Sequence, residues 1–150
     1  MASNSNVSST LNELTEFVND RIEGYKTAAE DTKDAQHKSY YQQLADQSQR
    51  FADELNGFAR NYGGAGEDST TTKGKLYRGW MDVKSAVTGK DEKAILDSNV
   101  YGEEWALKAY KEAFESGDLP QPVQQAVERQ YQTSQQTYDK LKSMGGQSHP

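Results

Sequence analysis

Apolar side chains recur along this chain at alternating spacings of three and four, the pattern of helices that bury one face. The clearest run is Tyr41, Leu44, Ser48, Phe51, Leu55, Phe58 and Tyr62. A row of Ala45, Ala52 and Ala59 flanks it, and such small side chains let a neighbouring helix approach closely. Gly63-Gly64 ends this helix. Upstream, Leu11, Leu14, Val18, Tyr25 and Ala28 mark one face of a first helix, with Phe17 and Ile22 beside it. Thr10 and Glu13 form a capping-box pattern that starts it, leaving residues 1–9, rich in Ser and Asn, as a flexible tail. Asp31-Thr32-Lys33-Asp34 reads as a tight turn between two antiparallel helices.

Ala65 to Lys75 is Gly, Thr and charge, a surface loop. Leu76, Trp80, Val83 and Val87 then predict a shorter amphipathic helix, stopped by Thr88-Gly89. Asp91 is placed to cap the next helix, on which Leu96, Glu103, Ala106, Tyr110 and Ala113 share a face, with Leu107 and Phe114 adjacent. Gly117 closes it. Leu119-Pro120-Gln121-Pro122 opens the last helix, proline being tolerated in a first turn. Val123, Val127, Tyr131, Ser134, Tyr138 and Leu141 form its seam, and residues 145–150 are expected to be a flexible tail. No segment alternates as a strand does.

The chain also repeats itself. The stretch Gly24 to Asp31 matches Ala109 to Ser116, while Tyr41, Ala45, Ser48, Ala52 and Leu55 fall opposite Val127, Tyr131, Ser134, Tyr138 and Leu141. Helices one and two therefore correspond to the last two, hairpin for hairpin, with a long connection from Gly63 to Lys90 between them. The predicted fold is all-α over residues 10–144: a ferritin-like four-helix bundle of two antiparallel hairpins, with a long crossover carrying a fifth, shorter helix.

Composition narrows the functions. With 150 residues the chain suits one domain. Its net charge is -6, and its 17 basic residues are scattered among 23 acidic ones. Nucleic-acid and anionic-membrane partners are not expected, because phosphate binding needs clustered Lys and Arg. The absence of cysteine excludes disulfides, thiolate chemistry and cysteine zinc sites. The polar start MASNSNVSST is no signal peptide, and no apolar run approaches the roughly 20 residues that span a bilayer. The expected location is the cytoplasm. Leu, Ile, Val and Phe make up only about 15% of the chain, below the roughly 20% that flags disorder. Nine Tyr and two Trp make up part of that deficit with large buriable rings.

Several blocks resemble a bacterial family of uncharacterised, ferritin-like four-helix-bundle domains. They are the run Leu76-Tyr77-Arg78-Gly79-Trp80-Met81-Asp82-Val83-Lys84-Ser85-Ala86-Val87-Thr88-Gly89-Lys90-Asp91, then Ala94-Ile95-Leu96, Gly102-Glu103 and Lys108-Ala109-Tyr110. Glu128-Arg129-Gln130-Tyr131 and the stretch Gly24-Tyr25 to Ala28-Ala29-Glu30 are similar to the same pattern. The resemblance covers roughly residues 10 to 144 and implies a fold, not an activity. Members of that family often resemble one another in having His where Tyr77 and Tyr138 stand here, and Glu where Ser98 and Val100 stand. Of that acidic cluster only Glu103 is kept, which weakens any metal role the resemblance implies.

A di-iron carboxylate centre needs inward-pointing Glu residues from two helices and Glu-x-x-His motifs from the other two. This chain has two histidines, His37 near the start of the second helix and His149 in the tail, and neither belongs to such a motif. Without a paired His no nucleophilic triad forms either, and the Gly63-Gly64 and Gly145-Gly146 runs read as helix stops. Glu103 sits inward on its seam. It is read as a carboxylate near a bundle end, bonded to a Tyr hydroxyl or to an Arg such as Arg21, or else as a leftover ligand or proton-transfer group. Tyr25, Tyr41, Tyr110, Tyr131 and Tyr138 are expected to pack by their rings and bond one another by their hydroxyls, and Trp80 to anchor the crossover helix.

No catalytic, cofactor-binding or metal-ligating residue is assigned, and no cofactor is expected. The leading expectation is a non-enzymatic structural or interaction protein with a degenerate ferritin-like core, its candidate partner a second copy docked through a helical face. The alternative is a metal-binding or oxidative-stress protein using a non-standard site near Glu103 and the tyrosines. A third is a small-ligand carrier using the bundle interior.

Overall fold

The structure, a computed structural model, describes residues 4–64 and 92–146. Four helices carry almost all of them: α1 (Asn4–Asp31), α2 (Ala35–Asn61), α3 (Glu92–Glu115) and α4 (Gln121–Ser143). No strand occurs among the described residues. The short helix expected over Leu76 to Val87, its Trp80 anchor and the Asp91 cap lie outside the described residues. None of the described helices is long and apolar enough to cross a membrane.

The first helix begins at Asn4, ahead of the start that the Thr10–Glu13 pattern predicts. Residues 4–9, expected as a flexible tail, are helical because Val7 and Leu11 are buried against the bundle, which outweighs the weak helix preference of the Ser and Asn around them. Thr10 does not cap. Its hydroxyl donates instead to Asp118 Oδ2 at 3.2 Å, tying α1 to the turn after α3.

The turn between α1 and α2 forms where expected. Asp34 adopts extended backbone and accepts the His37 N–H at 2.9 Å, as an N-cap does. Both hairpins end in the same way. Gly63 and Gly145 take positive φ of 86° and 115°, and the following glycines close back on the helix, Gly64 N–H to Ala59 O at 2.8 Å and Gly146 N–H to Leu141 O at 2.9 Å. Each second glycine abuts the partner helix: a Cβ on Gly64 would lie 2.8 Å from Ser8 Cβ, and one on Gly146 would lie 2.6 Å from Val100 Cγ2.

α1 packs along α2 and α3, and α3 along α4, while Arg129 and Gln130 of α4 reach Glu54 of α2. Successive links Thr10–Asp118, Arg21–Glu103 and Thr32–Glu92 run in opposite senses along α1 and α3, so those helices are antiparallel. The chain leaves α2 beside Ser8 and enters α3 beside Thr32, at opposite ends of the 28-residue α1. Those points are separated by about 36 Å at 1.5 Å per residue. α2 and α3 therefore point the same way, with the end of α2 and the start of α3 at opposite ends of α1.

The apolar core is in two parts. One gathers Leu11, Leu14, Val18, Leu55, Tyr110 and Val127 near the start of α1; the other gathers Tyr25, Tyr41, Leu44, Ile95, Leu96 and Leu141 near its end. Between them lies a buried polar layer.

Candidate functional site

Four helices each contribute side chains to that layer, and Arg21 is its centre. The position follows Leu14 and Val18 on the inward face of α1, where 3.6-residue periodicity leaves it no exit to solvent, and Arg21 is fully buried. Its Nε donates to Glu103 Oε1 of α3 at 2.6 Å, Nη1 to Ser48 Oγ of α2 at 2.9 Å, and Nη2 to Gln47 Oε1 at 3.2 Å. Thr137 Oγ1 of α4 lies 3.5 Å from Nη2. The guanidinium also sits over the rings of Tyr25 and Phe51, 5.4 and 5.8 Å from their centroids.

Glu103 is equally buried and its two oxygens are both engaged. Oε1 accepts the Tyr25 hydroxyl at 2.5 Å in addition to Arg21, and Oε2 accepts the Ser134 hydroxyl of α4. The carboxylate lies at mid-height of α3, not near a bundle end, because the layer falls between the two apolar clusters. Of the partners expected for it, a Tyr hydroxyl and Arg21 are both present.

Arg21 and Glu103 carry opposite charges, so each relieves the other's burial. Desolvation alone would favour the neutral form of Arg21; the adjoining Glu103 carboxylate reverses this and holds the guanidinium's pKa above its ordinary value. Burial, reinforced by Glu103, pushes the Tyr25 phenol well above the usual tyrosine range. A second strand of the network runs toward α2: Tyr110 donates to Gln130 Oε1 at 2.8 Å, and Gln130 Nε2 donates to Glu54 Oε1 at 2.7 Å. Glu54 in turn accepts from the exposed Arg129 at 2.6 Å.

The hydroxyl bonds of the described tyrosines run to other kinds of side chain. Tyr25, Tyr41 and Tyr110 are fully buried, but the hydroxyls of Tyr25 and Tyr110 go to Glu103 and Gln130, and the half-buried Tyr138 reaches Glu104 Oε2 at 3.4 Å. Ring packing does occur: Tyr25 stacks on Tyr41 at 6.4 Å, and Tyr131 meets Phe114 edge-on at 5.2 Å. His37 stays at the turn, its Nδ1 3.4 Å from Glu92 Oε1. His149 and Tyr77 lie outside the described residues. Ser98 and Val100, where the resemblance implies acids, are buried; the Ser98 hydroxyl donates to Ala94 O at 2.9 Å.

This donor set does not fit a pair of metal ions. Both oxygens of Glu103 are engaged by hydrogen bonds, and the guanidinium beside it has no lone pair to give. Nor do the described residues contain a group of three His, Asp or Glu side chains placed to share one ion. Two shallow grooves lie on the outside. One, of about 230 Å³, lies between α1 and α3 along Leu14, Phe17 and Ala109; the other, of about 310 Å³, lies between α1 and α2 along Ala29 and Ala45.

Compared with family models, residues 6–116 match the one described as a domain of unknown function, DUF2383. The chain belongs to that family. The DUF2383 match spans α1, α2 and α3 and stops ahead of α4, so Arg21, Tyr25, Ser48 and Glu103 lie inside it while Ser134 and Thr137 lie beyond. Among curated proteins none matches the chain.

Sequence reasoning placed Ser48, Glu103 and Ser134 on inward seams and offered Arg21 as a partner for the acid, but did not join Ser48, Ser134, Gln47 or Thr137 to it, and it missed Gln130 and Asn99. Their signal was available. Asn99 falls between Leu96 and Glu103 at spacings of three and four, and Gln130 three residues beyond Val127.

Proposed function

We propose that this DUF2383 chain is a ferritin-like bundle whose middle is closed by an internal ion pair, and that it acts as a non-enzymatic structural or interaction protein. The observation that carries this reading is Arg21, fully buried and hydrogen-bonded to side chains of α2 and α3, with α4 at its edge. A cation supplied by the chain itself stands among the acid, hydroxyl and amide groups that would otherwise have to be neutralised from outside. Glu103, wholly buried, spends three of its roughly four acceptor directions on Arg21, Tyr25 and Ser134, which leaves little for a substrate or an ion. Neither of the two surface grooves found among the described residues is lined by a histidine.

A cytoplasmic location and the absence of nucleic-acid partners accord with the acidic surface. Self-association through a helical face is supported by Trp105 on α3, a large apolar side chain 38% exposed, with Lys108 Nζ 5.1 Å above its ring. The metal-binding alternative requires Arg21 to vacate the layer.

Elemental analysis of protein prepared without tag or chelator tests the central point: the expected metal content is far below one per chain. Stoichiometric iron, manganese or zinc that disappears in Glu103→Gln would overturn it. Light scattering from micromolar to millimolar concentration tests the dimer. A one-chain mass throughout would exclude it.

A further inference from the structure

Below the polar layer, one turn of α3 before Glu103, two neutral side chains are buried with unmet hydrogen-bonding capacity. Asn99 exposes none of its surface, and neither its Oδ1 nor its Nδ2 meets a protein partner. The Tyr41 hydroxyl, on the fully buried Tyr41 of α2, is likewise unpartnered. The Asn99 amide approaches the Tyr41 hydroxyl closely enough for a weak hydrogen-bonding interaction to hold back the rise in the Tyr41 pKa that burial and the Glu92 carboxylate produce. That approach falls outside ordinary hydrogen-bond geometry and leaves both groups short of a full partner.

We infer that Tyr41 and Asn99 form an interior binding site for one water molecule. Leaving an amide and a phenol unpaired in an apolar surround is costly enough that such groups nearly always have protein or water partners. A direct Tyr41–Asn99 bond would satisfy one end of the amide and leave the other orphaned. A water both donates and accepts, so it can take the Asn99 Nδ2–H and the Tyr41 O–H while donating to Asn99 Oδ1, within the two to four partners that buried waters use. A cation is disfavoured by charge. Both site residues are neutral, and the nearby Glu92 already accepts from the Thr32 hydroxyl through Oε1 and the Lys33 N–H through Oε2. The surroundings, Tyr25, Leu44, Ile95 and Leu96, would hold that water apart from bulk solvent.

The test is a high-resolution crystal structure of the full chain, paired with oxygen-17 relaxation dispersion of water in solution. The expected result is a solvent peak within hydrogen-bond distance of both Tyr41 Oη and the Asn99 amide, and one fewer long-lived water in Asn99→Leu, or in Tyr41→Phe should that variant fail to fold. Three outcomes would overturn the site: a direct Tyr41–Asn99 bond with no peak, a peak bonded to only one of them, or the short contacts of a metal ion. An unchanged count of long-lived waters in the variants would do so as well.

Discussion

Arg21 of α1 and Glu103 of α3 meet at 2.6 Å with neither side chain exposed to solvent, and together they divide the apolar core into two. Such a pair is asymmetric in its energetics. Breaking it leaves a buried charge without compensation, whereas replacing both members with apolar groups removes the desolvation cost along with the attraction. Arg21→Met and Glu103→Leu, made singly, are therefore each expected to destabilise by about 3–5 kcal/mol. The double variant should recover most of that loss and is expected to end near wild-type stability. Urea unfolding of the four proteins of the cycle measures this. Single losses under about 1 kcal/mol would mean that water reaches the layer.

The buried phenols make a separate prediction at alkaline pH. Burial raises the pKa of Tyr25, Tyr41 and Tyr110; Glu103 adds to the rise at Tyr25 and Glu92 at Tyr41, while Arg21 pulls back part of it at Tyr110. In the unfolded chain these groups ionise near pH 10, so above that pH the folded state holds protons that the unfolded state has lost. Stability contributed by these phenols is complete below about pH 10 and falls as pH rises further, by about 1.4 kcal/mol per pH unit for each retained proton. Absorbance at 295 nm should show exposed tyrosines titrating first and the buried three ionising only with unfolding. A smooth titration of all nine phenols in a chain that stays helical would contradict the buried network.

How much of this was legible beforehand depended on the kind of interaction. Helical periodicity and glycine stops are local, so the Tyr41–Tyr62 seam, the Asp34 turn and the Gly63 and Gly145 ends could be read from the chain alone. The repeat was legible too: Tyr25 and Tyr110, Ser48 and Ser134, and Leu55 and Leu141 are matched positions, and each pair is fully buried. Hydrogen-bond partners were not. Ser48 and Ser134 look like small seam residues until the bundle brings Arg21 and Glu103 against them. The start of α1 was misplaced because a capping-box pattern at Thr10 is weaker than the burial of Val7, which only the assembled bundle supplies.

At the turn end, Thr32, Lys33 and Glu92 clasp α3 to the first hairpin. The Thr32 hydroxyl and the Lys33 N–H both donate to the Glu92 carboxylate, and these bonds, with His37 beside them, outweigh partial burial and lower its pKa. Asp34 is lowered as well, chiefly by the His37 N–H that it caps. A carboxylate whose pKa is lower in the folded state binds protons more readily when unfolded, so its stabilisation is present above about pH 4 and lost as pH falls further. Thermal unfolding between neutral and acid pH should therefore show a loss that Glu92→Gln blunts. An acid limb identical in that variant would show the clasp to be without energetic consequence.

Three glycines separate backbone strain from crowding. A Cβ added at Gly57, inside α2, would meet nothing within 4 Å, so Gly57→Ala should stabilise by about 0.5–1 kcal/mol through helix propensity alone. Gly63 is equally uncrowded but adopts φ of 86°, and Gly63→Ala should cost about 1–2 kcal/mol as left-handed strain. Gly146 is different again. Its added Cβ would stand 2.6 Å from Val100 Cγ2 and 2.9 Å from Leu141 O, so the end of α4 must move off α3, a loss of about 1–3 kcal/mol. The Val100 methyl is the nearer obstacle, and Val100→Ala removes it. In that background Gly146→Ala should cost less than in the wild type, whereas Gly63→Ala should cost the same. A Gly146→Ala penalty that ignores Val100 would place its origin in the α4 terminus itself and not in the packing of the second hairpin.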